Sequence, residues 1–356
     1  MESSNGGNAK HDIEKPRKGQ KERRSSMAKI ALTGIKPTGP PHIGNYLGMI
    51  KPALELAQSF QAFYFIADYH ALTTTRDRNQ LNHRIYEVAA TWLALGLDPE
   101  RVVFYRQSDI TEIFEFAWIL TCFTSKGLLN RAHAYKAAVQ ENISSGRSAD
   151  DNINTGLYHY PVLMAADILL FGTDVVPVGM DQRQHLEIVR DIAVSVNAKL
   201  GKVFKVPKAL IRAEMMTIPG LDGRKMSKNY RNTIPIFADS RTIRRQVMRI
   251  VTDSKPPEES KTPEECNVFA IWRHFAPAKA VEDKRQLYWR GGLAYSDIKQ
   301  ELYELLITKF DADYQVYKNY MRDPHAIDRI LKRGAEKART IAEPLLSKIR
   351  NKIGIE

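Results

Sequence analysis

The chain has 356 residues and a mass of 40.5 kDa, comfortable for two domains and too long for one small module. No apolar run approaches the ~20 residues of a membrane helix, and two cysteines, Cys122 and Cys266, outside any C-x-x-C pair, exclude a disulfide framework and a structural zinc site. The 53 Lys and Arg outnumber the 41 Asp and Glu, for a formal charge of +12, which suggests nucleic acid or polyphosphate as a partner, although a mildly basic protein need bind nothing.

Residues 1–26 hold Ser, Gly, Asn and charge with almost no apolar side chain, so they are expected to be a disordered basic tail. The tail lacks the apolar stretch of a signal peptide, and its four acids argue against a transit peptide. Strand and helix then alternate. A buried strand is predicted at 29–33, a Gly/Pro loop at 34–44, and a helix at 45–60 in which Pro52 is a kink or a second start. Further strands are predicted at 62–67, 102–105 and 174–178, with helices at 79–95, 110–123 and 181–197. Fully apolar strands separated by helices mean a parallel sheet covered on both faces. Residues 124–160 break this rhythm and read as an inserted polar connection. From about 240 only helical patterns remain, at 240–251, 263–275, 298–311 and 323–349. The few cysteines point to a reducing, cytoplasmic setting.

Two segments carry chemistry. The first, Gly34-Ile-Lys-Pro-Thr-Gly-Pro-Pro-His42-Ile-Gly44-Asn45, follows the first strand directly. Its glycines and prolines bare the backbone, and the helix after it offers free N–H groups and a positive dipole end to an anion. His42 and Asn45, three apart, project on one side of that helix start and can both donate to a phosphate oxygen. It is neither a Walker A loop nor G-x-G-x-x-G. The second is Gly223-Arg-Lys225-Met226-Ser227-Lys228-Asn229, a loop able to fold over a triphosphate and bring two point charges to oxygens where negative charge grows. Alone it would also pass for a charged surface loop.

Together the two segments resemble the HIGH-like and KMSKS-like signatures of class I aminoacyl-tRNA synthetases, and specifically the bacterial tryptophanyl family. That resemblance also rests on Asp68-Tyr-His70-Ala-Leu-Thr73, on Tyr160-Pro-Val-Leu-Met164-Ala-Ala-Asp167-Ile-Leu, and on Val176-Pro-Val178-Gly-Met180-Asp181-Gln182-Arg-Gln-His185. It implies an α/β architecture: a Rossmann-like parallel-sheet catalytic domain at 27–205, a lysine-loop linker at 206–239, and a C-terminal all-α helical tRNA anticodon-binding region at 240–356. It implies two-step aminoacylation, in which tryptophan and ATP give an adenylate and the acyl group then moves to tRNA. Magnesium would travel with the ATP phosphates, no metal would be held by the protein, and the enzyme would be a homodimer.

The implied site residues follow position by position. His42, Asn45, Lys136, Lys225 and Lys228 would serve catalysis. Lys36, Thr38, Gly44, Asp181, Met226 and Ser227 would join His42 and Asn45 on ATP. Asp167 would accept the indole N–H, with Met164, Val176, Val178, His70 and Gly34 around the ring and Tyr160 and Gln182 on the amino group. A buried acceptor of this kind rejects phenylalanine by about 10⁴–10⁵. Asp167 could instead be a structural acid, and Lys136 a solvated lysine. Lys36, Leu32, Met180 and Asn229 depart from the family pattern. Arg241, Arg244, Arg245, Arg249 and the basic run 332–339 are expected tRNA contacts. Tyrosine as the substrate, or a charging-impaired regulatory paralogue, are the competing readings.

Overall fold

The computed structural model describes residues 29–179, 183–210 and 217–356, so the predicted tail, Met180, Asp181 and Gln182 lie outside the described residues. Five strands, β1 (Ile30–Ile35), β2 (Gln61–Ile66), β3 (Val103–Arg106), β4 (Val175–Pro177) and β5 (Lys208–Leu210), form one sheet in the order β3-β2-β1-β4-β5. Every neighbouring pair is parallel. The order reverses between β1 and β4, and a crevice opens at the carboxyl ends of the strands at such a point. Strands β1 and β2 are buried on both faces, which is why they read as unbroken apolar runs.

After β1 the chain turns through the Gly/Pro loop into α1 (Ile43–Asn45), widens into a π-helical turn at Tyr46–Ile50, and resumes as α2 (Lys51–Leu56). Pro52 has no N–H to offer a carbonyl one turn back, and the wide turn before it absorbs that missing bond. The helix is continuous, so Pro52 marks a change of pitch inside one rod. There follow α3 (Asp68–Ala71), α4 (Arg78–Ala94) and α5 (Glu112–Phe123). The segment expected as a polar connection is itself helical, with α6 (Lys126–Leu129), α7 (His133–Ser144) and the first turn of α8 (Thr155–Leu169). Helix α9 (Arg183–Leu200) leads to β5, which extends the sheet past residue 205, where the catalytic region was expected to end.

The C-terminal helices are α10 (Ser240–Met248), α11 (Asn267–Trp272), α12 (Ala278–Arg290), α13 (Tyr295–Arg322) and α14 (Pro324–Ile353). Helix α12 was not predicted; six of its thirteen residues are charged and only Tyr288 is buried, and α13 runs well beyond the expected 298–311. Helix α14 packs Ile327 and Leu331 into the core on one face of the sheet and Ala335, Ala338, Ala342 and Leu346 into the core on the other. It thereby covers the exposed edge at β3. The closest approach is at buried Gly334, which lies against the Phe104 backbone. No described helix is long and apolar enough to cross a membrane.

Candidate active site

A cleft of about 1180 Å³ opens where β1 and β4 end, and its walls bring most of the predicted residues together. The Gly/Pro loop contributes Lys36, His42, Gly44 and Asn45; α3 gives His70; α8 gives Tyr160, Met164 and Asp167; β4 and the residue after it give Val176 and Val178; and the lysine loop gives Lys225 and Met226. Thr38, Lys136, Ser227 and Lys228 are not on the wall. Lys136 is exposed on α7, two residues from Ala134, which does line the cleft.

His42 and Asn45 form a capping box: the His42 Nδ1 accepts from the Asn45 backbone N–H at 3.3 Å, and the Asn45 Oδ1 accepts from the His42 N–H at 3.1 Å. With Nδ1 occupied as an acceptor, a neutral ring carries its proton on Nε2. Burial and the nearby Lys228 charge push the His42 pKa down to about 4, so the ring is a neutral donor at physiological pH. The Asn45 amide nitrogen is likewise a donor beside the helix start.

The lysine loop is stitched to this helix start. Ile43 N–H donates to the Ile234 carbonyl at 2.9 Å, Ile236 N–H to the Pro41 carbonyl at 3.2 Å, and Gly44 N–H to the Met226 sulfur at 3.3 Å. One buried amide organises the loop itself. Asn232 Oδ1 accepts from Ser227 N–H at 2.8 Å, while its Nδ2 donates to Asp222 Oδ1 at 2.6 Å and to the Lys225 carbonyl at 3.1 Å. Gly220 packs so tightly on it that a Cβ there would lie 2.6 Å from the Asn232 carbonyl oxygen. Lys225 stays exposed at the cleft. Lys228 turns away to donate to the Gly39 carbonyl, and burial lowers its pKa to about 8. Lys36 donates to Thr73 Oγ1 at 2.8 Å, and burial lowers its pKa as well.

At the other end, Asp167 is 1% exposed among apolar neighbours. His70 Nε2 meets its Oδ2 at 2.8 Å, and Gln107 Nε2 donates to Oδ1 at 2.8 Å and Oδ2 at 3.0 Å. Burial raises the Asp167 pKa, while the bonds from His70 and Gln107 oppose that rise. The Met164, Val176 and Val178 side chains offer the apolar wall beside it. Gly34 is required here: a Cβ on it would lie 2.5 Å from the Phe65 ring, which stacks on Tyr105. Tyr160 Oη pairs with His185 Nε2, and burial pushes its pKa up to about 12. Leu32, a departure from the family pattern, lines the same wall.

Two residues escaped the sequence reading. His185 stands within a quoted motif but was given no task, and Gln107 was not singled out. The signal for Gln107 was its place: a polar Gln-Ser-Asp triplet directly after a buried parallel strand, where ligand-facing residues gather. The basic run 332–339 is corrected in part. Arg333 and Lys337 pair with Glu100, and Arg339 with Glu112, because α14 lies on the catalytic body and turns these cations toward its acids. The arginines of α10 remain on its exposed face, opposite the buried Ile243 and Val247.

The chain matches the family of tRNA synthetases class I (W and Y) over residues 25–311. It is 48% identical over 334 residues to the Tryptophan-tRNA ligase of Pseudomonas aeruginosa, covering 92% of this chain and 74% of that one. With the Tryptophan-tRNA ligase of Bordetella parapertussis it shares 49% identity over 329 residues, 91% of this chain and 72% of the relative. The crystal structure of tryptophanyl-tRNA synthetase from Campylobacter jejuni, complexed with ADP and tryptophan, superposes with a TM-score of 0.82 at 44% identity, covering 91% of this chain and 99% of that one. A tyrosyl-tRNA synthetase from Archaeoglobus fulgidus, 20% identical at a TM-score of 0.60, shares the fold alone. The parallel sheet with its reversal point, the capped His42 helix start, the docked lysine loop and these likenesses agree, and the chain belongs to the class I tRNA synthetases, in their tryptophanyl branch.

Proposed function

We infer that the protein is an ATP-dependent tryptophan-tRNA ligase, which makes tryptophanyl-adenylate and transfers the acyl group to tRNA(Trp). The observation that carries this reading is a single cleft whose walls hold both a buried carboxylate, Asp167, and an exposed lysine, Lys225, beside the His42–Asn45 helix start. The apolar wall around Met164 accepts an aromatic ring, and Asp167 offers the only kind of group that rewards a ring N–H: a desolvated acceptor.

No side-chain nucleophile is needed. The tryptophan carboxylate attacks the α-phosphorus of ATP, and pyrophosphate leaves with the electrons of the broken P–O bond. Catalysis is then positioning and charge stabilisation. The neutral His42 Nε2–H and the Asn45 amide donate to phosphate oxygens without adding charge, whereas Lys225 meets the departing pyrophosphate. Magnesium bound to the ATP phosphates would add to the same charge neutralisation. In the second step a ribose hydroxyl of the tRNA end attacks the acyl carbon, and AMP leaves. The exposed arginines of α10 suit the tRNA phosphates, a homodimer is the expected assembly, and the cytoplasm the expected location.

ATP–pyrophosphate exchange measured with each of the twenty amino acids tests the reading. Exchange with tryptophan is expected. Exchange driven by tyrosine instead would move the substrate assignment, and no exchange with any amino acid would leave a binding protein in place of the enzyme.

A further inference from the structure

Gln107 is completely buried, and no motif carries it, yet its amide reaches both oxygens of the carboxylate at the centre of the site. We propose that Gln107 is a specificity-determining positioning residue, which clamps Asp167 so that one carboxylate oxygen keeps a free lone pair aimed at a ring N–H in the cleft. This rests on the reading that the chain activates tryptophan.

A carboxylate has about four acceptor positions on two oxygens. On Asp167, Oδ2 receives His70 Nε2 at 2.8 Å and Gln107 Nε2 at 3.0 Å, and is filled. Among the described residues, Oδ1 receives only Gln107 Nε2, at 2.8 Å, and retains one position. The orientation of the Gln107 amide is settled by its other end, where Oε1 accepts the His70 backbone N–H at 3.4 Å. Turning the amide over would set an oxygen against the carboxylate and an NH₂ against an N–H. The clamp is therefore one-way.

Gln107 is also unable to swing aside. It opens the short helical turn Gln107–Asp109, which is bolted down on all sides. Arg106 Nε meets Asp109 at 3.0 Å, Arg106 also meets Asp328 of α14 at 3.1 Å, Arg339 of α14 caps the Asp109 carbonyl, and Ser108 N–H donates to Asp68 Oδ1 at 3.1 Å. Among the described residues, the titratable groups facing Asp167 are His70 from α3 and Tyr105 from β3, and Gln107 is the uncharged amide donor beside them. A neutral donor holds the carboxylate without adding a proton that could transfer to it.

The test pairs a variant with a substrate change. Gln107→Met keeps the volume and removes the donor. Exchange is measured with tryptophan and with the analogue whose ring nitrogen is replaced by sulfur, 3-benzothienylalanine. If Gln107 aims Asp167 at the N–H, kcat/KM for tryptophan falls at least about tenfold. The value for the analogue changes less than about twofold, and KM for ATP stays constant. A packing role alone would lower both substrates together and leave their ratio intact, which would overturn the proposal. Should Gln107→Met not fold, Gln107→Glu serves, since its carboxyl donates only when protonated. The preference for tryptophan over the analogue should then rise as pH falls, and a preference independent of pH would contradict the clamp. Wild-type enzyme that fails to activate tryptophan would defeat the functional reading itself, whereas an unchanged ratio in active variants defeats only the clamp.

Discussion

Gly334→Ala sets two physical effects against each other. Gly334 lies inside α14, and replacing a helical glycine by alanine normally gains up to about 1 kcal/mol. Here a Cβ would sit on the carbonyl oxygen of Phe104 and 2.6 Å from its carbonyl carbon. Carbon atoms prefer about 3.5–4.0 Å, so helix and strand would have to part by roughly 1 Å. The obstacle is backbone, and it cannot rotate away: Phe104 is registered against Tyr64 in the parallel ladder between β2 and β3. Overpacking of this kind costs about 1–3 kcal/mol, occasionally more, and outweighs the helical gain. A net loss of about 1–2 kcal/mol is expected, read as a lower urea midpoint and a Tm lower by a few degrees. Gly127→Ala in α6, where nothing lies within 4 Å of the new methyl, is the matched control and should be neutral or stabilising. Because the damage is next to the turn that carries Gln107, tryptophan binding should weaken too. A Gly334→Ala protein as stable as wild type would refute the picture of α14 seated on the β3 backbone.

Lys225→Ala should lower tryptophan-dependent pyrophosphate exchange by about 10²-fold while leaving tryptophan affinity nearly intact, since only transition-state charge is affected; equilibrium dialysis beside the exchange assay separates the two. Asn232→Ala leaves the Ser227 N–H and Lys225 carbonyl without their shared partner, and an unmade buried bond costs about 1–3 kcal/mol. A raised KM for ATP with an unchanged tryptophan affinity is the expected split. His42 has a folded-state pKa of about 4, below its ordinary 6.5. The unfolded chain therefore binds the extra proton, so stability from this group is complete above pH 6.5 and falls as pH drops toward 4. Denaturation midpoints of wild type and His42→Asn should converge across that window. Imidazole titration by NMR should put the His42 midpoint well below the ordinary 6.5.

Much of the fold and site was legible because it is encoded locally. The apolar runs of β1 and β2, the Gly/Pro loop, the His42–Asn45 pair and the lysine loop each announce themselves within a few residues. Asp167 stood out as one charge inside an apolar stretch. What stayed hidden depends on contacts between distant segments. Gln107 reaches Asp167 across sixty positions with no periodicity to mark it. Strand β5 has three residues and lacks the full burial that makes a strand readable. The basic character of α14 suggested an outward face, yet four of its cations, Arg333, Lys337, Arg339 and Arg350, meet acids of the body it packs on.

The account stands or falls on Asp167 as reader of the substrate ring. Calorimetric titration of Asp167→Asn with tryptophan, and separately with ATP, examines it directly, because the swap keeps shape while setting an NH₂ against the donors of Gln107 or His70. Tryptophan affinity should fall at least about tenfold with ATP affinity held within about twofold. Tryptophan bound as tightly as by wild type would contradict it.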